Sequence, residues 1–306
     1  MSDSPSIPVA ARDAILAWYA ANGRRLAFRE TSDPYAILVS EAMAQQTQAS
    51  RAADHWWRFV ARFPTVAALA GSSHAEVQRA WQGLGYNRRA LALWRVARVI
   101  QSEYGGRVPD SVEELETLPG VGPYTARAVA AIAFGRPVGA VDINVRRVLG
   151  RMLAGRHSAV PTQRIQAIAD ASVPPGKARD WTHAVMDLGA TRCRPKAPRC
   201  EDCPARPWCR YATADGAEAN LLAKTVPTKS NRTPRFSSTN RWLRGRMLDR
   251  LRAVPDDGWL TMESAIGAHD IERVRAAATA MASEGLIELD SDTPEGGVIR
   301  ARLATG

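Results

Sequence analysis

The sequence has no apolar run approaching the roughly 18 residues that a membrane-spanning helix needs. Its first ten residues, Met1 to Ala10, lack the charged and apolar blocks of a secretory signal. They read as a short disordered leader, and a cytoplasmic protein with no membrane partner is expected. No self-similarity at a period of about 20–50 residues is visible, which argues against a repeat architecture. Acidic residues are in deficit: 31 Asp+Glu against 41 Lys+Arg give a net charge of +10 and a pI near 10.0. That surplus favours a polyanionic partner, although nucleic-acid and membrane-surface proteins share it. The 306 residues, 45% of them hydrophobic, suffice for about two domains with real cores.

Cysteine is scarce too, but it is not scattered. Cys193, Cys200, Cys203 and Cys209 fall within 17 residues, spaced C-x6-C-x2-C-x5-C. A reducing compartment disfavours a pair of disulfides. Four thiolates suit a tetrahedral zinc ion, and the loops between them also suit an iron–sulfur cubane. Spacing alone leaves those two level. Arg192, Arg194, Lys196, Arg199, Arg206 and Arg210 surround the cysteines, a charge density that a zinc staple does not require and a DNA backbone would favour.

The chain is organised around residues 112–150. Leu118-Pro119-Gly120-Val121-Gly122 is a turn between two helical patterns, with Pro119 ending the first and Pro123 suited to open the second. The free N–H groups of that second helix could receive a phosphate oxygen, or the segment could be an ordinary helical hairpin. Further on, a largely apolar run from Gly135 to Val141 leads into Asp142, which opens another helix. Asp142 reads as an N-cap or as a carboxylate at the mouth of a cleft.

Ahead of this segment, helices are predicted over residues 9–22, from Pro34, over an aromatic-rich stretch containing His55 to Phe63, at 65–70 and 74–81, and over 88–103. The aromatic stretch is expected to pack into a core. Arg24 to Arg29 form a basic connection. The helix from Pro34 is largely buried but carries Glu41, Gln45 and Gln46. An isolated Glu there is usually a solvated edge charge, and the glutamine amides could fill the gap left by an extruded base or cap nearby backbone. Gly83 to Arg89 is a plausible strand-contacting turn with Tyr86 and Arg88 in it. After residue 150, helices are expected at about 162–171 and 178–189. A linker-like composition fills 212–240. A basic helix from Trp242 to Leu251, a short extended piece at 258–261, helices near 262–267 and 270–284, and strands at 286–289 and 298–301 give the order of a winged helix. Its arginines, Arg241, Arg244, Arg246, Arg250 and Arg252, suggest either an added grip on DNA or a protein-docking face.

The hairpin and the Gly/Pro-rich lead into Asp142 resemble the helix-hairpin-helix plus Gly-Pro-Asp motif of base-excision DNA glycosylases. Val39 to Gln48, Trp81 to Tyr86, Leu118 to Gly122, Asp142 to Val145, and Met186 to Gly189 followed by the four cysteines together resemble the MutY-type adenine DNA glycosylases of the endonuclease III superfamily. The resemblance implies a mainly α, two-lobed fold with an iron–sulfur loop, plus a small α/β winged-helix-like C-terminal domain. Residues 1–211 would form the glycosylase domain, with a six-helix barrel at about 30–140 and an iron–sulfur lobe from 8–29 and 141–211. Residues 212–240 would be the linker and 241–306 the C-terminal domain. It also implies a [4Fe–4S] cluster on Cys193, Cys200, Cys203 and Cys209, and a nucleoid-associated monomer acting on double-stranded DNA that contains a mismatch.

Roles follow from the same resemblance. Glu41 would protonate adenine N7 as general acid, Asp142 would stay ionised and stabilise the oxocarbenium-like sugar, and Asn144 would support the aspartate. Tyr124 stands where lyase relatives carry a Schiff-base lysine, so a monofunctional glycosylase acting on adenine opposite 8-oxoguanine or guanine is expected. Gln45 would enter the duplex and Tyr86 would wedge near the opposite base. Gln46, Arg88, Leu118, Gly120, Val121 and Gly122 complete the DNA-binding set. Two departures stand out: Ile143 replaces a Gly that often follows the aspartate, and the tail is too short for the usual Nudix-like domain. A thymine/uracil mismatch glycosylase, or a non-catalytic iron–sulfur DNA-binding protein, are the alternative readings.

Overall fold

The computed structural model describes residues 6–155, 160–213, 235–290 and 298–306. Most of the expected linker, the start of the leader and the turn between the last two strands lie outside the described residues. The described chain is mainly helical: α1 Val9–Asn22, α2 Pro34–Ala44, α3 Ala49–Arg62, α4 Val66–Ala70, α5 His74–Ala80, α6 Arg88–Glu103, α7 Val112–Thr117, α8 Pro123–Phe134, α9 Ile143–Ala154, α10 Thr162–Ala171, α11 Ala178–Thr191 and α12 Arg210–Thr213. Two more helices, α13 Asn240–Leu251 and α14 Ile271–Ser283, alternate with strands β1 Leu260–Met262, β2 Ile287–Leu289 and β3 Ile299–Leu303. The chain divides into two compact units: residues 1–41, 108–117 and 121–228, and residues 42–107, 118–120 and 229–306. The division falls inside α2, after Glu41.

The first unit is held by helix faces at helical spacing. Ile7, Ala11 and Ile15 from the α1 segment, Val145, Val148, Leu149 and Met152 from α9, and Trp181, Ala184, Val185 and Leu188 from α11 are buried in one cluster. Gly189 sets how near α9 and α11 come. A Cβ there would lie 2.6 Å from the Asn144 Cβ, so any side chain would push the two helices apart.

In the second unit, α4 and α5 pack on α6, burying Leu69, Val77, Leu91, Leu93, Trp94 and Ile100. A capping box at Ser73 and Glu76 starts α5. The aromatic stretch of α3 is only partly core: Phe59 and Phe63 are buried, with Phe59 edge-on to Trp81 at 5.9 Å. Trp57 is 55% exposed, with the Arg58 guanidinium 5.3 Å from its ring. It points off the apolar face, so the expectation of core packing fails for that residue.

The C-terminal segment of the second unit is a three-stranded antiparallel sheet in the order β1-β3-β2, with α13 and α14 packed together beside it. This is the winged-helix pattern with one correction. Residues 262–267 form no helix: Met262 ends β1, paired to Ile299, and an isolated bridge from Ile266 to His269 closes a turn. Pairing to a strand almost 40 residues away overrides the helical spacing of Met262 and Ile266. The sheet end is tied to α5, whose His74 N–H donates to the Thr305 carbonyl at 3.1 Å.

Candidate active site

Helix α2 is apolar on nearly every side: Tyr35, Ala36, Ile37, Leu38, Val39 and Met43 are all buried, which marks a helix enclosed by its surroundings. Ser40 satisfies itself by donating to the Ile37 carbonyl at 2.7 Å. Glu41, one residue on, is 9% exposed, so it is not the solvated edge charge that an isolated Glu usually is. Burial pushes its carboxyl up to about 7. A hydrogen bond from the Tyr124 phenol and the nearby Arg29 cation oppose that rise, and Asp142 adds to it. Tyr124 is a partly exposed residue with a buried hydroxyl, and burial followed by Glu41 and Asp142 keeps that phenol protonated. Glu41, Tyr124 and Asp142 are therefore brought within electrostatic reach of one another.

Asp142 is the N-cap of α9, in extended backbone conformation. Its Oδ1 accepts from the Asn144 N–H at 2.8 Å and the Val145 N–H at 2.7 Å, and its Oδ2 accepts from Asn144 Nδ2 at 2.8 Å. The cap reading holds here: capping fixes the carboxylate, and Asn144 holds it a second time. The polar chain continues. Arg147 Nη2 donates to Asn144 Oδ1 at 2.7 Å and to the Gly189 carbonyl at 2.8 Å, while its Nε donates to the Cys193 carbonyl at 2.6 Å. Ile143 is 78% exposed.

Three of these residues carried no such role in the sequence. Arg147 had no signal beyond its place one turn after Asn144. Arg24 and Arg29 read as a basic connection, yet both grip Asp187, whose side chain is fully buried. Arg29 donates to both Asp187 oxygens at 2.8 and 2.9 Å, and Arg24 adds its N–H at 2.8 Å and its Nε at 2.7 Å. Burial would raise the Asp187 carboxyl, but these bonds outweigh it and hold it below the usual range. The pairing fixes Arg29, with 8% of its side chain exposed, as the cation facing Glu41.

The DNA-binding set falls into two places. Helices α7 and α8 pack on each other. Leu118 and Val121 are buried, and Gly120 takes a φ of 82° with Ala92 only 3.0 Å from where its Cβ would be. Helix α8 has Gly122 as its N-cap, with no side-chain cap hydrogen bond, and Pro123 in its first turn, where a missing N–H costs nothing. In the second unit Gly83, Gly85 and Tyr86 have φ values of 91°, 67° and 47°. Arg89 organises that loop: it donates to the carbonyls of Ala42, Met43 and Gln45 at 2.6–2.9 Å, to Thr47, and to the Leu84 and Gly85 carbonyls. Arg89 thus joins the end of α2 to the Tyr86 loop, a role the sequence reading gave to no residue. Gln45 is half-buried, Gln46 is exposed with a φ of 53°, and the mostly exposed Arg88 lies 3.7 Å from Glu284.

The cysteines are free thiols, three half-buried and Cys209 buried. Burial pushes the Cys203 thiol up to about 11, and Cys209, Cys193 and Cys200 push the same way, so all four lie within electrostatic reach. Among the described residues no three His, Cys, Asp or Glu side chains converge tightly enough to hold a single metal ion. Four soft thiols with no carboxylate or imidazole among them are a donor set that suits an iron–sulfur cluster as well as zinc. Arg151 backs the loop, donating to the Arg194 carbonyl at 2.8 Å and to Cys193 Sγ at 3.4 Å.

The family described as HhH-GPD superfamily base excision DNA repair protein matches residues 39–175. An adenine DNA glycosylase of Mycobacterium tuberculosis is 42% identical over 261 residues, 81% of this chain and 83% of that protein. One from Mycolicibacterium smegmatis is 39% identical over 280 residues, covering 91% and 92%. The second match covers so much of the chain that it reaches into the C-terminal segment. A thermostable thymine-DNA glycosylase of known structure superposes with a TM-score of 0.62 at 32% identity, covering 66% of this chain and 94% of that one. From these matches the chain belongs to the adenine DNA glycosylase family of the helix-hairpin-helix base-excision repair superfamily.

Proposed function

We infer that the protein removes adenine mispaired with 8-oxoguanine or guanine by hydrolysing its N-glycosidic bond. The observation that carries this reading is the buried Glu41, raised to about 7 and hydrogen-bonded by Tyr124, within electrostatic reach of the thrice-bonded Asp142. A carboxyl poised near neutrality can deliver a proton to the adenine N7, so that the C1′–N9 bonding pair leaves with a neutral base. Asp142 accepts three hydrogen bonds and offers a fixed negative charge to the cation developing at C1′. Water then adds its oxygen to C1′, and its proton passes to the Glu41 carboxylate, restoring the acid. Tyr124 has no amine to form an imine, so the strand stays intact after base release.

The turn from Leu118 to Gly122 at the start of α8 and the loop from Gly83 to Arg88 are the surfaces we assign to the DNA, with Gln45 and Gln46 entering the space of the extruded base and Tyr86 beside its partner. Cys193, Cys200, Cys203 and Cys209 would hold a [4Fe–4S] cluster. When bound, it supplies a structural staple for the loop that Arg147 and Arg151 hold. Protein purified without oxygen should then carry about four irons per chain.

The test is a single-turnover assay on duplexes with A, T or U opposite G or 8-oxoguanine. Release of adenine alone, with strand breaks appearing only after alkali, is expected. Faster release of thymine or uracil, or strand cleavage without alkali, would overturn the reading.

A further inference from the structure

The basic helix of the C-terminal domain does not simply present its arginines to solvent. Within the second unit, three consecutive loop residues are each held by a different residue of that domain. Arg241 Nη1 donates to the Tyr86 hydroxyl at 2.7 Å, and its guanidinium carbon lies 4.1 Å from the centre of the Tyr86 ring. Arg252 Nη2 donates to Asn87 Oδ1 at 2.7 Å. Glu284 pairs with Arg88 at 3.7 Å while Arg244 donates to the same carboxylate at 2.9 Å. Tyr86 also needs holding. It takes a φ of 47°, which a bulky side chain seldom adopts, and it follows two glycines of positive φ. Arg89 lies 5.4 Å from the same ring and carries the loop's carbonyls, so the Tyr86 ring has one arginine from its own loop and one from the C-terminal domain. Arg252 and Arg79 lock the domain in that place, Arg252 donating to the Gln78 carbonyl at 2.9 Å and Arg79 to the Val254 carbonyl at 2.8 Å.

We propose that the C-terminal domain sets the pose of the Tyr86–Arg88 loop, and that Arg241 is a positioning residue through which Tyr86 discriminates the base opposite the excised one. This rests on the proposed function, in which Tyr86 stands beside that base. A tyrosine already fixed by a planar cation and a hydrogen bond loses little side-chain freedom on entering a duplex. Its ring then meets the opposite base at a defined depth, where guanine and 8-oxoguanine differ. In this way a short domain influences base choice through the wedge, with no direct contact to the base.

Two readouts test it. The first is the ratio of single-turnover excision rates for adenine opposite 8-oxoguanine and opposite guanine. Arg241→Ala should shift that ratio by about three- to tenfold, the scale of one cation–π contact with one hydrogen bond. Arg241→Lys keeps the charge but not the plane, and should behave like Arg241→Ala. Tyr86→Phe, which loses only the hydroxyl, should fall between, and in a Tyr86→Ala background the Arg241 substitution should have no further effect. If Arg241 were a backbone charge only, Lys would restore the wild-type ratio and the two substitutions would add; that outcome overturns the proposal. The second readout needs no excision: fluorescence of a 2-aminopurine placed beside the opposite base should rise when wild-type protein binds, and rise less with Arg241→Ala or Tyr86→Ala. An unchanged rise with Arg241→Ala would equally contradict the proposal. Should wild-type protein release no adenine, the function reading fails while the fluorescence still decides the role of Arg241.

Discussion

In the middle of α2 a carboxyl is enclosed by a buried helix and receives a phenol; at the start of α9 another accepts three hydrogen bonds within 2.8 Å. The chemical group is the same and the environment opposite. Where donors are few, burial decides, and Glu41 is driven toward neutrality. Where two backbone N–H groups and an amide converge, the carboxylate is fixed in direction. The contrast teaches that one unit of this protein gives two carboxyls different surroundings by local structure alone: an apolar helix for one, a helix N-terminus for the other.

The contrast breaks most visibly if each carboxyl is replaced by its amide. Glu41→Gln keeps the shape and hydrogen bonding but cannot give a proton, and Asp142→Asn keeps the cap but not the charge. Each should lower single-turnover excision by about a hundredfold or more, with duplex binding retained. Asn caps helices about as well as Asp, so a near-normal rate in Asp142→Asn would reduce Asp142 to a cap.

A smaller effect should come from the support behind Asp142. Arg147→Ala removes the donors to Asn144, Gly189 and Cys193 together. We expect a loss of about tenfold in excision, equivalent to about 1.4 kcal/mol, measured in single turnover. Arg147→Lys should recover little, because one ammonium cannot span three acceptors in a plane. An unaltered rate in both variants would show that capping alone suffices to aim Asp142.

Much of this was legible in the residues. The bounds of α1 and α6, the turn at Leu118 to Gly122 and the start of α9 follow from periodicity, proline and capping chemistry, which act over a few residues. Glu41 and Asp142 stood out because each sits in a segment whose pattern it violates or terminates. What could not be read was the direction of the arginines. Arg24, Arg29, Arg147, Arg241 and Arg252 look on paper like surplus surface charge, yet their partners lie up to 174 residues away along the chain. Arg29 and Asp187, 158 residues apart, become neighbours only through the packing of the first unit. The turn at 262–267 was misread for a similar reason, since β1 exists only because β3 pairs with it. Trp57 shows the converse: an aromatic-rich run suggests a core, but only one face of α3 is turned inward.

The pH dependence of single-turnover adenine excision tests the account most directly. Glu41 must hold its proton to act, and its carboxyl titrates at about 7 in the folded protein. The rate should therefore be level below pH 7 and fall by about tenfold for each further pH unit. The Glu41→Gln variant should be slow and flat over the same range. A wild-type rate that stays level to pH 9, or a Glu41→Gln variant that keeps the same downward break, would contradict the assignment of Glu41 as the acid.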